Sequence, residues 1–320
     1  MLRYIARRLL LYVPTLIGVS LAIFVIMRVI PGDPAQIILG GSDEGTGGYT
    51  QADLQRVREQ LGLNKPFIVQ YTSWVADALR LDFGISIRYN SPVADELAHR
   101  FPLTLELTVL ALLIALAIGI PVGTMSAVQR GTWTDRAGQV ISSLGFAIPN
   151  FWLGTLILIA LSKSLNWVPP LGYVSFVEDP QAHIEQILPP ALVLGYGFAA
   201  YIARMSRAQV LEVLREDYIR TAYSKGLAAK AVLVRHALKN SLLPVITLSG
   251  LQVGVLLGGV VTIELIFSLP GLGRLLLEAL SSRDYPVIQA EVLLIATEFL
   301  VVNLLVDLLY SWLDPRIRYA

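Results

Sequence analysis

The chain has 320 residues, of which 55% are hydrophobic and 15% charged, and its mean hydropathy is +0.63. Soluble domains carry about 25% charged residues, so this composition excludes an ordinary water-soluble fold and marks an integral membrane protein. A net charge of +1 gives no ground for a nucleic-acid partner; zero cysteine excludes disulfides, zinc–thiolate and iron–sulfur sites and a cysteine nucleophile, and His99, His183 and His236 are too scattered to hold a metal.

Arg3, Arg7 and Arg8 precede an apolar run from about Leu9 to Val29. At about 20 residues the run spans the roughly 30 Å hydrocarbon core, and no A-x-A cleavage site follows, so a retained first span is expected and not a signal peptide. Ile30-Pro31-Gly32-Asp33-Pro34 stops any helix, because each proline lacks an N–H and restricts its predecessor. Residues 31–101 are polar and too long for a simple connector. Their glycine-rich tip, 40–48, reads as a flexible loop. Leu54, Val57 and Leu61 are spaced as a helix face closed by Gly62, and Phe67, Tyr71, Trp74, Val75, Ala78 and Leu79 suggest another helix.

Five further spans are expected, over about Leu103–Val128, Ala137–Ser162, Leu188–Val210, Ser241–Phe267 and Val287–Leu313. Pro14, Pro121 and Pro149 are candidate kinks, and Gly119 and Gly123 form a small-residue face around Pro121. The loop holding Trp167 and Tyr173 suits an interface belt. After the fifth span, Ser268-Leu269-Pro270-Gly271-Leu272-Gly273-Arg274 reads as a loop continuing to Arg283-Asp284-Tyr285-Pro286. Six spans place both termini on one side. That side then carries 15 of the 25 Lys and Arg but 5 of the 24 Asp and Glu, which makes it cytoplasmic.

Between the fourth and fifth spans lies a polar stretch, 211–240, inside that cytoplasmic excess. Leu211, Leu214, Tyr218, Ala222 and Tyr223 keep helical spacing with a polar opposite face. Glycine terminates helices, so one short amphipathic helix is expected to end at Gly226 and a second to run through Lys230 to Asn240, with Pro244 beginning the next span. By itself this reads equally as an amphipathic connector on the bilayer surface, against which stand the shortness of the helix and a stripe of alanine and tyrosines in place of bulky Leu and Phe.

The run Asp217-Tyr218-Ile219-Arg220-Thr221-Ala222-Tyr223-Ser224-Lys225-Gly226-Leu227, followed by Arg235-His236-Ala237-Leu238-Lys239-Asn240-Ser241-Leu242-Leu243-Pro244, resembles the EAA loop of binding-protein-dependent ABC importer permeases, most of all the dipeptide/oligopeptide (peptide/nickel) branch. The Pro-Gly-Asp-Pro exit, Leu81-Asp82-Phe83-Gly84-Ile85-Ser86, Ser91-Pro92-Val93 and the stretch from Ile263-Glu264 through Arg274 to Pro286 are similar to the same branch, so the resemblance covers nearly the whole chain. Arg220 and Thr221 replace the first two letters of the general Glu-Ala-Ala pattern, and Lys239 stands where that pattern has proline.

The resemblance implies an all-α integral membrane protein of type I ABC importer permease architecture. Its parts are a cytoplasmic N-terminus and first helix (1–30), an external cap (31–101) and a five-helix core (102–320) with the coupling loop at 211–240. It implies that Asp217, Tyr218, Arg220, Thr221, Ala222, Lys225, Gly226 and Leu227 engage a cytoplasmic ATPase. The implied partners are a second homologous permease, two ATPase subunits, an extracytoplasmic substrate-binding protein and membrane lipid, in the cytoplasmic membrane of a bacterium or archaeon. No G-x-x-x-x-G-K-[ST] occurs, so ATP and magnesium belong on the partners and this chain is expected to bind no cofactor or metal. The cap is either a small soluble cover or the docking surface for the binding protein.

Within the membrane, Gly250, Gly254 and Gly258 share one face of the fifth span, for packing within the chain or, as the resemblance implies, toward a partner permease near the translocation path. Glu264 lies near that span's external end. Glu298 lies mid-span in the sixth, where a charge costs about 3 kcal/mol, so it should meet protein, water or a proton. A proton-coupled secondary transporter using Glu298 and Asp307 is the competing function. A membrane enzyme is not supported, since neither H-E-x-x-H nor G-x-S-x-G appears.

Overall fold

In the computed structural model, residues 2–29, 35, 39, 50–60, 64–170 and 172–313 are described. The helix stop at 30–34, the loop tip 40–48 and Gly62 therefore lie outside the described residues. Among the described residues all regular structure is helical, apart from an isolated bridge between Ile85 and Pro92. The helices are α1 (Leu2–Val29), α2 (Gln51–Gln60), α3 (Phe67–Ala78), α4 (Val93–Val128), α5 (Trp133–Ala147), α6 (Asn150–Leu165), α7 (Pro180–Val213), α8 (Asp217–Ser224), α9 (Ala229–Val232), α10 (Leu238–Ile266), α11 (Leu272–Ser282) and α12 (Tyr285–Leu313).

Three of them are long and apolar enough to cross a bilayer: Arg8–Val29, Val93–Val128 and Pro180–Val213. The expected third span is not one straight helix. It is the pair α5 and α6, bent by 100° where Ile148 and Pro149 adopt extended dihedrals. Proline removes the N–H that would continue the ladder and pushes its predecessor out of the helical region. Counted as one broken span, the pair makes four. α10 and α12, 29 residues each, extend about 44 Å at 1.5 Å per residue.

Other boundaries differ from expectation for local reasons. α7 begins at Pro180, eight residues before the apolar run, because Asp179 caps it: its carboxylate accepts from the Gln181 and Ala182 amides at 3.0 Å. The loop expected after the fifth span contains α11, whose Leu272, Leu275 and Ala279 are buried on one face. The chain is also helical without a break from Ala229 to Ile266, through a π-helical turn at Leu233–Ala237, so Pro244 sits inside α10 and no helix ends at Asn240.

The chain divides into two compact units, 1–101 with 275–300 and 102–274 with 301–320. In the second, Leu103, Leu107 and Ala111 of α4, Ile187, Ala191, Val193 and Leu194 of α7, and Leu256, Val260 and Ile263 of α10 form the principal core. Lipid is as apolar as leucine, so close packing has to supply the attraction between helices. Gly119 allows it: a Cβ there would sit 2.7 Å from the Ile202 Cβ, and one at Gly123 would strike the Ala203 carbonyl. In the first unit, the turn at 86–88 is bound to the segment before α12. Ser86 donates to the Asp284 carboxylate at 2.5 Å and the Arg88 amide at 3.1 Å. Two of the stretches that carry the family resemblance thus meet there.

Candidate functional site

The helix α8 is eight residues long, and its inward face is small. Ile219 and Ala222, one turn apart, are buried against Val232 and Ala237, with Val213, Leu214 and Leu233 packed around them. Those contacts tie α8 to the end of α7 on one side and to the start of the α9–α10 helix on the other. The apolar stripe read from the sequence is corrected here. Leu211 belongs to α7 and Leu214 to the turn after it, while Tyr218 and Tyr223 face outward, 40% and 47% exposed. Tyr218 is steadied by Asn240, whose amide donates to its hydroxyl at 2.8 Å.

The C-terminus of α8 explains its glycine. The Gly226 amide donates to the Tyr223 carbonyl at 2.9 Å and the Leu227 amide to the Ala222 carbonyl at 3.4 Å, the paired bonds that close a helix when the residue after the cap is left-handed. Gly226 has φ +77°, and no atom lies within 4 Å of where a Cβ would stand, so the backbone and not the space requires glycine. The Ala222-to-Gly226 spacing is therefore one turn of helix plus its closing turn. Beyond it, Lys225, Gly226, Leu227, Ala228, Ala229 and Lys230 are all exposed. Together with Arg220 and Thr221 they make an exposed surface rich in Lys and Arg, with Asp217 lying 3.4 Å from Arg220. All eight predicted coupling residues belong to this one helix and its closing turn.

The predicted path residues differ in their surroundings. Gly250 is buried, and a Cβ there would strike Val306 of α12; Gly254 is half-buried; Gly258 is exposed, with no atom within 4 Å. Glu264 is fully buried at the end of α10, where its carboxylate accepts from the Thr104 hydroxyl at 2.6 Å and the Arg274 amide at 3.0 Å. Thr104 in turn accepts from the Leu272 amide at 2.9 Å. These are first-turn amides of α11, so Glu264 acts as an anionic cap on that helix. Gly271 is needed beside it because a Cβ would collide with the carboxylate. Glu298 is half-buried, with no hydrogen-bond partner among the described residues, and it belongs to the first unit while Asp307 belongs to the second.

Two polar clusters have no counterpart in the sequence reading. Asp135, 2% exposed, receives a bidentate bond from Arg207 (2.8 and 2.9 Å) and further bonds from the Gly131 amide and Gln139, each at 2.9 Å. Beside it, Gly123, Ser126, Gly138, Ser142, Ala203 and Arg204 help to line a cavity of about 330 Å³. In the first turn of α7, the ring nitrogens of His183 face two acceptors, the Val174 carbonyl of the preceding loop at 2.9 Å and Glu106 at 2.7 Å. Glu106 also accepts from the Tyr173 hydroxyl at 3.0 Å; burial and this carboxylate push the Tyr173 phenol up to about 12. No local sequence signal pairs Asp135 with Arg207 or Glu106 with His183, because 72 and 77 residues separate them.

Residues 119–319 match the family described as "Binding-protein-dependent transport system inner membrane component", and residues 1–108 match the N-terminal region of such membrane components. The chain is 42% identical over 322 residues to the glutathione transport system permease protein GsiC of Escherichia coli (strain K12), with 100% of both chains covered. The same protein of Shigella dysenteriae serotype 1 (strain Sd197) gives the same values. Among solved structures, the inward-facing MetNI methionine ABC transporter superposes with a TM-score of 0.53 at 18% identity, over 68% of this chain and 96% of that one, a likeness of fold. With both parts of the family matched and relatives aligned from end to end, the chain belongs to the inner-membrane permease components of binding-protein-dependent ABC importers, and it is a transmembrane subunit and not an enzyme.

Proposed function

We propose that this chain pairs with a second, similar permease to form the translocation path for small peptides delivered by an extracytoplasmic binding protein. Glutathione, a tripeptide and the cargo named for the end-to-end relatives, is the first candidate. The reading takes α1, α4, the bent pair, α7, α10 and α12 as six spans, with both termini cytoplasmic and residues 31–101 external. The excess of Lys and Arg on one side supports that orientation.

The observation that carries the mechanism is the anchorage of α8. Its outward surface offers Tyr218, Arg220, Tyr223, Lys225 and Leu227 to a partner, while its buried face touches the end of α7 and, through Val232, Leu233 and Ala237, the start of the continuous helix that runs from α9 into α10. Two ATPase subunits closing on ATP would push this short helix as a rigid body. Ile219 and Ala222 would then pass the displacement into two long helices at once. Alternating access follows as a population shift between inward-open and outward-open packings, driven by the difference in ATPase affinity for the two. ATP and magnesium stay on the ATPases. The test is uptake by the complex of both permeases, two ATPases and the binding protein, reconstituted in vesicles. ATP-dependent accumulation of labelled glutathione, competed by other small peptides, is the expected result; full-rate solute movement by this chain alone would sink the reading.

A further inference from the structure

The helix α3 packs against part of α1 that a bilayer covers, and this fixes its depth. The Phe24 ring, 1% exposed, lies 5.2 Å from Phe67, 5.4 Å from Tyr71 and 5.8 Å from Trp74. The Ser20 and Tyr71 hydroxyls are 2.8 Å apart, and the Arg28 guanidinium, 4.6 Å above Phe24, donates to the side-chain Oε1 of Gln70 at 3.0 and 3.2 Å. Ser20 and Phe24 belong to the apolar segment Arg8–Val29. At 1.5 Å per residue they lie about 14 and 8 Å below its C-terminal end. Side chains of ordinary reach hold α3 near these levels, comparable with the roughly 5–10 Å to which interfacial helices bury their apolar faces.

The faces of α3 agree. Phe67, Tyr71 and Trp74 form the stripe on α1. The neighbouring stripe, Ile68, Thr72, Val75 and Leu79, is largely apolar, with Ile68 74% and Leu79 82% exposed. No residue of α3 is buried, and apart from half-buried Val75 the described chain leaves this stripe exposed. Ser73 and Asp77 occupy the far side, and exposed Lys65 and Arg80 flank the two ends, where long cationic side chains reach back to lipid headgroups. At the same depth α1 turns Leu21, Val25, Ile26 and Val29 outward, so the apolar face of the span continues beside α3.

We propose that α3 is an interfacial helix whose partner is the lipid bilayer, with Ile68, Val75 and Leu79 among the acyl chains and Ser73 and Asp77 toward water. The chain has no cysteine, which makes the test direct. Nitroxides are placed on Ile68→Cys, Leu79→Cys and Ser73→Cys, one at a time, in the complete transporter with cysteine-free partner subunits. The complex sits in nanodiscs of phosphatidylethanolamine and phosphatidylglycerol. Labels at 68 and 79 are expected to collide with dissolved oxygen and not with a water-soluble nickel chelate, and the label at 73 to show the reverse. Adding cargo-loaded binding protein should leave 68 and 79 unchanged. Nickel access at 68 and 79 equal to that at 73 overturns the proposal in favour of a water-facing cap. Loss of both collisions there on adding the binding protein overturns it in favour of a protein dock.

Discussion

Gly226 shows how one residue can be fixed by backbone geometry alone. Its left-handed φ of +77° closes α8, and an L-residue there costs about 1–2 kcal/mol even though open space surrounds it. The strain falls on an exposed turn outside the Ile219–Ala222 cluster, so insertion and the fold should survive substitution while the outward surface is re-aimed. Gly226→Val is expected to reach the membrane in normal amount and to lose uptake and binding-protein-stimulated ATPase activity together. Gly226→Asn, which tolerates the left-handed region, should retain a large part of both. Wild-type uptake by the valine variant would remove the coupling role. Asp135 and Arg207 illustrate the opposite case: their residue types are unremarkable in sequence, and their bidentate contact exists only because α5 and α7 bring them together.

Among the elements, two of the four glycines of α10 have different surroundings. Gly250 lies under Val306, so its packing is within the chain; Gly258 faces nothing among the described residues. Overpacking a filled contact costs about 1–3 kcal/mol, whereas filling open space costs the fold little. Gly250→Leu should therefore lower the thermal stability of the isolated chain. Gly258→Leu should leave that stability unchanged and impair co-purification of the second permease if this end of the face is the permease–permease contact. Undiminished assembly and transport with Gly258→Leu would assign that face to lipid. The broken span belongs to the same level: Pro149 is legible as a kink, but the 100° bend depends on two consecutive extended residues that the sequence pattern does not specify.

Across the chain as a whole, the energy source separates the two functions considered. A proton-coupled carrier would draw on the proton gradient through Glu298 and Asp307, an alternative that membership in the permease family does not favour. Cells expressing the complete system should keep their uptake when an ionophore collapses the proton gradient while ATP is held constant. Collapse of uptake under those conditions would reinstate the carrier.

The membrane class, the family and the positions of the short polar helix and its terminating glycine are legible in the amino-acid order, because composition, hydrophobic period and turn chemistry are local properties. Three of the apolar spans, those in α1, α4 and α7, are legible as well, though not the break in the third expected span, the early starts of α4 and of α7 at its aspartate cap, or the helix α11 hidden in an expected loop. Three-dimensional packing was needed to establish that Ile219 and Ala222 point inward and the tyrosines outward, that Glu264 caps α11, and that α3 lies against Ser20 and Phe24. Each of these depends on which distant segment occupies the neighbouring space, and a one-dimensional pattern does not encode that contact.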